Sequence, residues 1–347
     1  MSAVLTAPAA AVAGIRHRRA RRGAIVTASL VLAVAVTYAV TLMIGNTVYT
    51  PAEVWRVILG ETVPGASFTV GELRLPRATL AVLAGLAFGL AGVTFQTMLR
   101  NPLAAPDIIG ITSGASAAAV VGIVFFSLSG LSVSLVALAG GLLTALVIAG
   151  LSSHGTFSGT RLILMGIGVA AMLDAVITYA LSQAAAWDLQ TAMRWLTGSL
   201  NGATWSTVAP LAIAAVVLVP TLLAQSRNLE LMRLGDDTAA GLGVAVTRVR
   251  LILLLAAVAL LAMATAATGP IAFVAFMAGP IAARLRGAAS PSALSAGLVG
   301  ALLVLVADLV GQFAFDGRYP VGVVTGAVGA PFLIFLLIRT QRSGGSL

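Results

Sequence analysis

Long apolar segments separated by short polar ones make up most of this chain. Ten runs of mostly apolar residues with few or no charges occur along it, and a run of about 20 such residues can span the hydrocarbon core of a membrane as a helix. The pattern therefore predicts an all-α, polytopic membrane protein. The predicted helices are Ala24–Ile44, Ala78–Leu99, Ile108–Leu128, Leu131–Leu151, Leu162–Leu181, Thr207–Ala224, Leu251–Thr268, Ile271–Ala283, Ala293–Phe313 and Val321–Ile338.

The eighth predicted helix is short and contains Gly279-Pro280, so the seventh and eighth runs could also form one helix across Gly269-Pro270. Arginines distinguish the two arrangements, because loops that stay in the cytoplasm carry an excess of positive charge. With ten helices and a cytoplasmic N-terminus, all but five of the 20 arginines lie on the cytoplasmic side, in loops or terminal segments. Fusing the two runs raises the number outside to eight, because four C-terminal arginines move outside and Arg318 moves inside. We therefore predict ten membrane-spanning helices with both termini in the cytoplasm.

Composition agrees with this pattern and sets the domain boundaries. Hydrophobic residues make up 59% of the chain, charged residues 9%, and the mean hydropathy of +1.06 excludes an ordinary soluble protein. The arginines of 16–22 precede the first run as in a signal peptide, but the run is too long and no A-x-A cleavage site follows. We predict a disordered basic tail over residues 1–23, one transmembrane domain over 24–340 and a short cytoplasmic tail over 341–347.

The residue types that are missing exclude several chemistries. Every basic residue is arginine, so no GxxxxGK[ST] phosphate loop exists, and any ATP that drives this protein must bind to another chain. The absence of cysteine excludes disulfides and thiolate chemistry. His17 and His154 lie outside the apolar runs, so no metal or haem site within the membrane is expected. We predict a protein that is not an enzyme, with no catalytic residue, no metal site and no cofactor bound by this chain.

Residues 225–250 form the longest polar segment on the predicted cytoplasmic side. Helices in a membrane protein need only a few residues to turn, so the length of this segment indicates a further purpose. Asp236 or Asp237 is predicted to cap a short helix over Thr238–Leu242 that ends near Gly243. Such a segment suits docking onto a cytoplasmic partner. The alternative is a loop that merely lies on the bilayer interface.

Four charged residues lie where charge is unexpected. Asp174 and Asp308 fall within predicted spans, where charge is costly. They could bind protons or sodium in an ion-coupled secondary transporter, or they could play a structural role near helix ends. Arg74 and Arg77 lie on the predicted outer side, where they could pair with acidic groups of an extracytoplasmic partner or contact lipid phosphates.

Four segments, in this order and spacing, resemble the permease subunits of type II ABC importers, the iron-siderophore and cobalamin (FecCD-like) family. They are RLPRATLAVLAGLAFGLAGVTFQTMLRNPLAAPDIIGITSGA, LGDDTAAGLGV, GPIAFVAF and YPVGVVTGAVGAPF, and the likeness runs from about residue 50 to 340. GSLNGATW (198–205) and GDDTAAGLGV are particularly similar to a permease chain of ferric-enterobactin importers. The resemblance implies the type II ABC importer permease fold in a bacterial plasma membrane. It also implies import of an intact ferric siderophore of the catecholate type, with cobalamin or haem as the alternative cargo.

The resemblance further implies partners and the residues that meet them. The partners are a second permease chain, with a heterodimer favoured over a homodimer, two cytoplasmic ATPase subunits that bind ATP and magnesium, and an extracytoplasmic substrate-binding protein. The substrate path runs along the interface of the two permeases. The implied ATPase-coupling residues are Leu234, Gly235, Asp236, Asp237, Thr238, Ala239, Leu242 and Gly243, the docking residues for the binding protein are Arg74 and Arg77, and the cytoplasmic gate is Ser158, Gly159 and Thr160.

The chain departs from the family pattern at two places. Gly279-Pro280 stands where relatives usually have Pro-His, so any role of that histidine is absent. A third docking arginine of the cobalamin importer corresponds to Gln312, and Arg318 is expected to take its place. The spans contain no cluster of hard or imidazole ligands that could strip iron from a chelate, so the whole complex is expected to cross. No nucleic acid partner is expected.

Overall fold

The computed structural model describes residues 6–104, 110–152, 159–287 and 292–342, and these residues form helices and short connections without any β-strand. A π-helical stretch over Thr69–Arg74 joins the third helix to the fourth. The helices are α1 (Thr6–Met43), α2 (Pro51–Ile58), α3 (Ala66–Phe68), α4 (Leu75–Met98), α5 (Ile111–Phe126), α6 (Leu131–Ser152), α7 (Gly159–Gln183), α8 (Ala186–Leu196), α9 (Trp205–Ala224), α10 (Ser226–Met232), α11 (Asp236–Gly241), α12 (Val246–Thr268), α13 (Val274–Arg286), α14 (Ala293–Phe313) and α15 (Val321–Arg342).

Each of the ten predicted spans overlaps one helix of the structure, which confirms the all-α class. Within the described residues, eight helical segments are long and apolar enough to cross a membrane. The remaining two, α5 and α13, have 16 and 13 residues. The seventh and eighth runs are separate helices, because Gly269 adopts a φ of +70° after Thr268 and Pro270 follows it. Ten crossings and cytoplasmic termini stay predictions.

The tail predicted as disordered over residues 1–23 is helical from Thr6 onward, which corrects that prediction. This segment contains mainly alanine and arginine, which are strong helix formers, and it continues directly into the apolar run. The Arg22 side chain donates a hydrogen bond to the Leu285 carbonyl at 3.2 Å, near the end of α13. The basic segment is therefore attached to the bundle.

The core of the bundle surrounds α4, of which every residue from Ala87 to Met98 is buried. Helices α9, α12, α13 and α14 pack around it. Glycines allow the closest of these contacts: a Cβ atom at Gly85 would overlap the Gly300 carbonyl, and one at Gly89 would overlap the Ala296 carbonyl, both on α14. In contrast, few of the apolar side chains of α1, α7 and α9 are buried.

The unusual Gly279-Pro280 pair has a structural explanation in α13. Proline has no backbone N–H, so Pro280 cannot donate to the Phe276 carbonyl one turn earlier. The buried amide of Gln96 on α4 donates to this carbonyl instead, at 3.0 Å. A Cβ atom at Gly279 would overlap the Gln96 side-chain oxygen, so glycine provides the space. The pair thus joins α13 to α4 through a side chain.

Candidate functional sites

A pocket of about 440 Å³ lies where α4 begins, and three arginines line it: Arg74, Arg77 and Arg318. We call it the arginine pocket. The sequence predicted these three residues as docking residues, and the structure brings them together although Arg318 is distant in sequence. Their side chains differ in environment: Arg318 is exposed, while Arg74 and Arg77 are half-buried.

Arg77 forms a bidentate ion pair with Asp308 of α14. Its Nε and Nη2 atoms donate to the two carboxylate oxygens at 2.9 and 2.8 Å, and Nη1 donates to the Asn201 side-chain oxygen at 2.7 Å. Gln312 donates a further hydrogen bond to Asp308 at 2.7 Å. The Asp308 side chain is only 2% exposed. This position fits a structural role for Asp308 better than a role in ion coupling. A charged carboxylate within a membrane span is costly, and the paired arginine offsets that cost.

Arg74 supports the end of α1. Its guanidinium donates to the carbonyls of Leu42 and Met43, both at 2.9 Å, and to the Thr47 carbonyl at 2.6 Å. The last carbonyls of a helix lack partners within the helix, so a cation here satisfies them and favours the helix dipole. The guanidinium also lies over the Tyr49 ring, 5.0 Å from its centroid. Much of the donor capacity of Arg74 is therefore used within the chain.

The GSLNGATW segment is a junction beside the arginine pocket. Gly198 adopts a φ of +70°, and a Cβ atom there would overlap the Pro270 carbonyl. The Ser199 N–H donates to the Thr268 carbonyl at 2.8 Å, and the Gly322 N–H donates to the Gly198 carbonyl at 3.1 Å. The segment thus holds the end of α12 against the start of α15. Sequence reasoning recognised the motif but not this contact.

A cavity of about 840 Å³ lies among α5, α7, α13 and α15, and we call it the central cavity. Its walls are largely apolar and include Ile177, Phe273 and Leu333. Ser116 and Asp174 supply polar groups, and Asp174 is exposed near the middle of α7. The structure therefore separates the two acids of the predicted spans: Asp308 is buried in an ion pair, whereas Asp174 lines the central cavity.

Phe273 holds a strained position in the wall of the central cavity. Its φ is +63°, a conformation that side chains other than glycine rarely adopt. The ring packs edge to face on Phe276 at a centroid distance of 6.4 Å. A Cβ atom at Gly329 of α15 would overlap Phe273, so this glycine gives the ring its space. Strain of this kind is often found at functional sites.

The predicted coupling residues form α11 and its flanks, at the end of α4 opposite the arginine pocket. Leu234 and Leu242 are 63% and 58% exposed, while Ala239 is buried. The prediction that Asp236 or Asp237 caps a helix over Thr238–Leu242 was wrong. The helix begins at Asp236 itself, Gly235 occupies the cap position, and no side chain caps it.

Asp236 instead joins three elements through ion pairs. Its carboxylate accepts from Arg100, which follows α4, at 2.6 Å and from Arg250 of α12 at 2.7 Å. The Nε of Arg100 also donates to the Met232 carbonyl at the end of α10, at 3.1 Å. The exposed segment is thus attached directly to two core helices. Asp237 is exposed and has no ion pair with any described residue.

The predicted gate is only partly described. Ser158 lies outside the described residues, whereas Gly159 and Thr160 begin α7. A Cβ atom at Gly159 would lie 2.8 Å from a methyl group of Leu99, so α7 starts in close contact with the end of α4. Among the described residues, no group of three or more His, Cys, Asp or Glu side chains could hold a metal ion.

Comparisons with known proteins agree with the resemblance read from the sequence. The family model for the FecCD transport family matches residues 31–339. The chain is 41% identical over 292 residues to the ferric enterobactin permease FepG of Escherichia coli, covering 84% of this chain and 88% of that protein. It is 41% identical to the achromobactin permease CbrC of Dickeya dadantii, covering 91% and 92%. The fold matches a metal-chelate type ABC transporter in an inward-facing conformation with a TM-score of 0.79 and 25% identity, covering 90% of this chain and 98% of that one.

Proposed function

This chain belongs to the FecCD transport family, and we propose that it is the permease subunit of an ABC importer that carries an intact ferric siderophore into a bacterial cytoplasm. The observation that carries the proposal is the family match over residues 31–339, which includes the arginine pocket, the central cavity and the coupling residues. The ferric siderophore cargo follows the names of FepG and CbrC. Cobalamin and haem remain the alternative cargoes within the family.

We propose that α5 and α13 complete a set of ten spans with both termini in the cytoplasm. The distribution of arginines supports this arrangement, because most of them then lie on the cytoplasmic side. The connection before α13 is buried against Gly198 and α15, where protein rather than lipid surrounds the irregular backbone. The protein then lies in the cytoplasmic membrane, and residues 225–250 face the cytoplasm.

Two ATPase subunits bind ATP and magnesium, and α11 docks onto one of them in this proposal. Exposed leucines on both sides of α11 offer an apolar contact of the kind that forms the centre of protein interfaces. The ion pairs of Asp236 transmit a push on α11 to α4 and α12, because they attach it to both helices. ATP hydrolysis on the partner thereby moves the core of the permease.

The arginine pocket receives acidic side chains of the extracytoplasmic binding protein. Arg318 is exposed and has one polar contact with the described residues, to the Asn46 side chain at 3.2 Å, so its guanidinium has donors to spare. Arg74 and Arg77 hold internal partners and present only part of their guanidinium groups to the pocket. We therefore propose Arg318 as the principal docking residue, with Arg74 and Arg77 shaping the pocket.

The central cavity is proposed as this chain's half of the substrate path. It opens beside the exposed sides of α7 and α15, where a second permease chain, different from this one, completes it. Its apolar walls suit passage of a whole chelate, since a few hydroxyls and the one carboxylate of Asp174 cannot replace the full set of iron ligands. Ser158, Gly159 and Thr160 form the cytoplasmic gate.

Co-purification and transport together test this function. A tagged chain, expressed with its natural neighbours, should co-purify a second permease and an ATPase. In proteoliposomes with the binding protein outside and ATP inside, the complex should take up iron as a labelled ferric siderophore. An intact complex that hydrolyses ATP but accumulates cobalamin or haem instead would contradict the cargo. Uptake that a protonophore abolishes while ATP remains high would contradict the ABC mechanism and favour the ion-coupled alternative.

A further inference from the structure

Asp174 is the one charged residue among the described residues that line the central cavity. It lies near the middle of α7 and is exposed to the cavity, beside apolar side chains such as Ile177 and Phe273. Its carboxylate has no hydrogen bond or ion pair with any described residue. The two other functional acids differ, since Asp308 accepts from Arg77 and Asp236 accepts from two arginines.

A charge within a membrane span is costly and is usually retained where it faces water or cargo. Asp174 meets this description, because it faces a cavity and not a partner within the chain. A chelate that fills the cavity displaces the water between itself and the carboxylate, so the field of Asp174 acts on it with less screening than in bulk water. A passing chelate must cross this field whatever the binding protein selects outside.

We infer that Asp174 makes the path selective for ferric chelates that are neutral or positively charged. This inference rests on the proposed function and names the charge class of its substrate. Three doubly deprotonated catecholates leave a ferric complex with a net charge of minus three, whereas three singly deprotonated hydroxamates leave it neutral. The carboxylate repels the first and tolerates the second. The inference therefore opposes the catecholate expectation that the likeness to enterobactin permeases raised.

Transport of a graded series of one chelate tests the inference. The probes share a ferric trihydroxamate core, and their tails end in an ammonium group, a neutral amide or a carboxylate. The complete complex is reconstituted in proteoliposomes with its binding protein, and uptake is normalised to binding-protein occupancy. The variants are Asp174→Asn and, as a matched control outside the cavity, Asp188→Asn on α8. A ferric tricatecholate serves as an additional anionic probe.

The wild-type complex should take up the ammonium and amide probes about tenfold faster than the carboxylate probe, which corresponds to about 1.4 kcal/mol. Asp174→Asn should remove most of this difference, and Asp188→Asn should leave it unchanged. Equal slowing of all probes in Asp174→Asn would overturn the inference, because it would indicate an ion pair with the second permease. Wild-type preference for the tricatecholate would also overturn it. Failure to import any ferric siderophore would instead refute the proposed function.

Discussion

The two ends of α4 carry aspartate–arginine pairs in different surroundings. At its first turn, Arg77 meets Asp308, and the two side chains are 20% and 2% exposed. Just beyond its last turn, Arg100 meets Asp236, and these side chains are 46% and 43% exposed. Both pairs join an aspartate to an arginine, but they differ in burial. The buried Arg77–Asp308 pair fixes α4 against α14, whereas the exposed Arg100–Asp236 pair is accessible to a partner protein.

Burial decides how much each pair contributes to stability. A buried carboxylate that loses its partner keeps the full desolvation cost, whereas an exposed one is solvated by water. The Arg77 end of α4 is therefore expected to behave as a rigid unit. The exposed Arg100–Asp236 contact by itself contributes little stability, and its role is to attach α11 to the end of α4.

The largest expected effect comes from removing the arginine of the buried pair. Arg77→Ala should lower the free energy of unfolding by about 3–5 kcal/mol, because it leaves the buried Asp308 charge without its bidentate partner. Thermal unfolding of the purified complex in detergent measures this loss. The double variant Arg77→Met, Asp308→Leu should regain most of it, since the uncompensated charge is gone. A loss below about 1 kcal/mol in the single variant would mean that the two ends of α4 do not differ.

The buried hydrogen bond between Gln96 and the Phe276 carbonyl tests whether burial of an uncharged contact also lowers the free energy of unfolding when the contact is lost. Gln96→Leu leaves the Phe276 carbonyl without a donor, because Pro280 has none to offer. We expect a loss of about 1–3 kcal/mol by the same thermal measurement. Thr94→Val on the same helix is the control. The Thr94 hydroxyl donates to the Leu90 carbonyl of its own helix, and this carbonyl keeps the backbone N–H of residue 94 as a donor when the hydroxyl is removed. Equal losses in both variants would refute the role of Gln96.

The exposed pair should affect transport more than stability. Asp236→Asn should cost less stability than Arg77→Ala, because the amide oxygen can still accept from Arg250, whose side chain is only 12% exposed, yet it should lower uptake about fivefold or more while ATP hydrolysis continues. The reason is that α11 loses its ion pairs to α4 and α12. Proteoliposome uptake and ATP hydrolysis are measured on one preparation. Asp237→Asn, exposed and unpaired, is the matched control. If Asp236→Asn takes up substrate at the wild-type rate per ATP hydrolysed, the ion pairs of Asp236 do not transmit the movement of α11 to α4 and α12.

The smallest effect is expected for an exposed pair outside both sites. Arg56 and Glu61 meet at 2.6 Å beside α2, and their side chains are 54% and 51% exposed. Arg56→Ala should change stability by less than about 0.5 kcal/mol and leave uptake unchanged, because water replaces the lost contact. A loss comparable to that of Arg77→Ala would show that burial does not explain the contrast between the ends of α4.

Sequence patterns predicted the helices closely, because each apolar run must satisfy its backbone hydrogen bonds internally in lipid. The break at Gly269-Pro270 was also predicted, because the distribution of arginines between the two sides favoured two separate helices over one. The errors arose where local signals were ambiguous. Asp236 has the residue type of a helix cap, but two arginines distant in sequence offer it stronger ion pairs. The basic tail lacks apolar patterning, yet it continues a helix that has already formed.

What the sequence by itself determined was the position of the long apolar helices, the family motifs and the lack of a GxxxxGK[ST] motif, because these depend on local composition and spacing. Only the tertiary structure decided what each charged residue does. Arg77 and Asp308 lie far apart in the chain, and two acids that look alike in their spans have opposite environments. The physical reason is that the role of a charge in a membrane protein depends on the side chains and water around it. Those surroundings form only when helices distant in the chain pack together, so the residues next to a charge in the sequence do not reveal them.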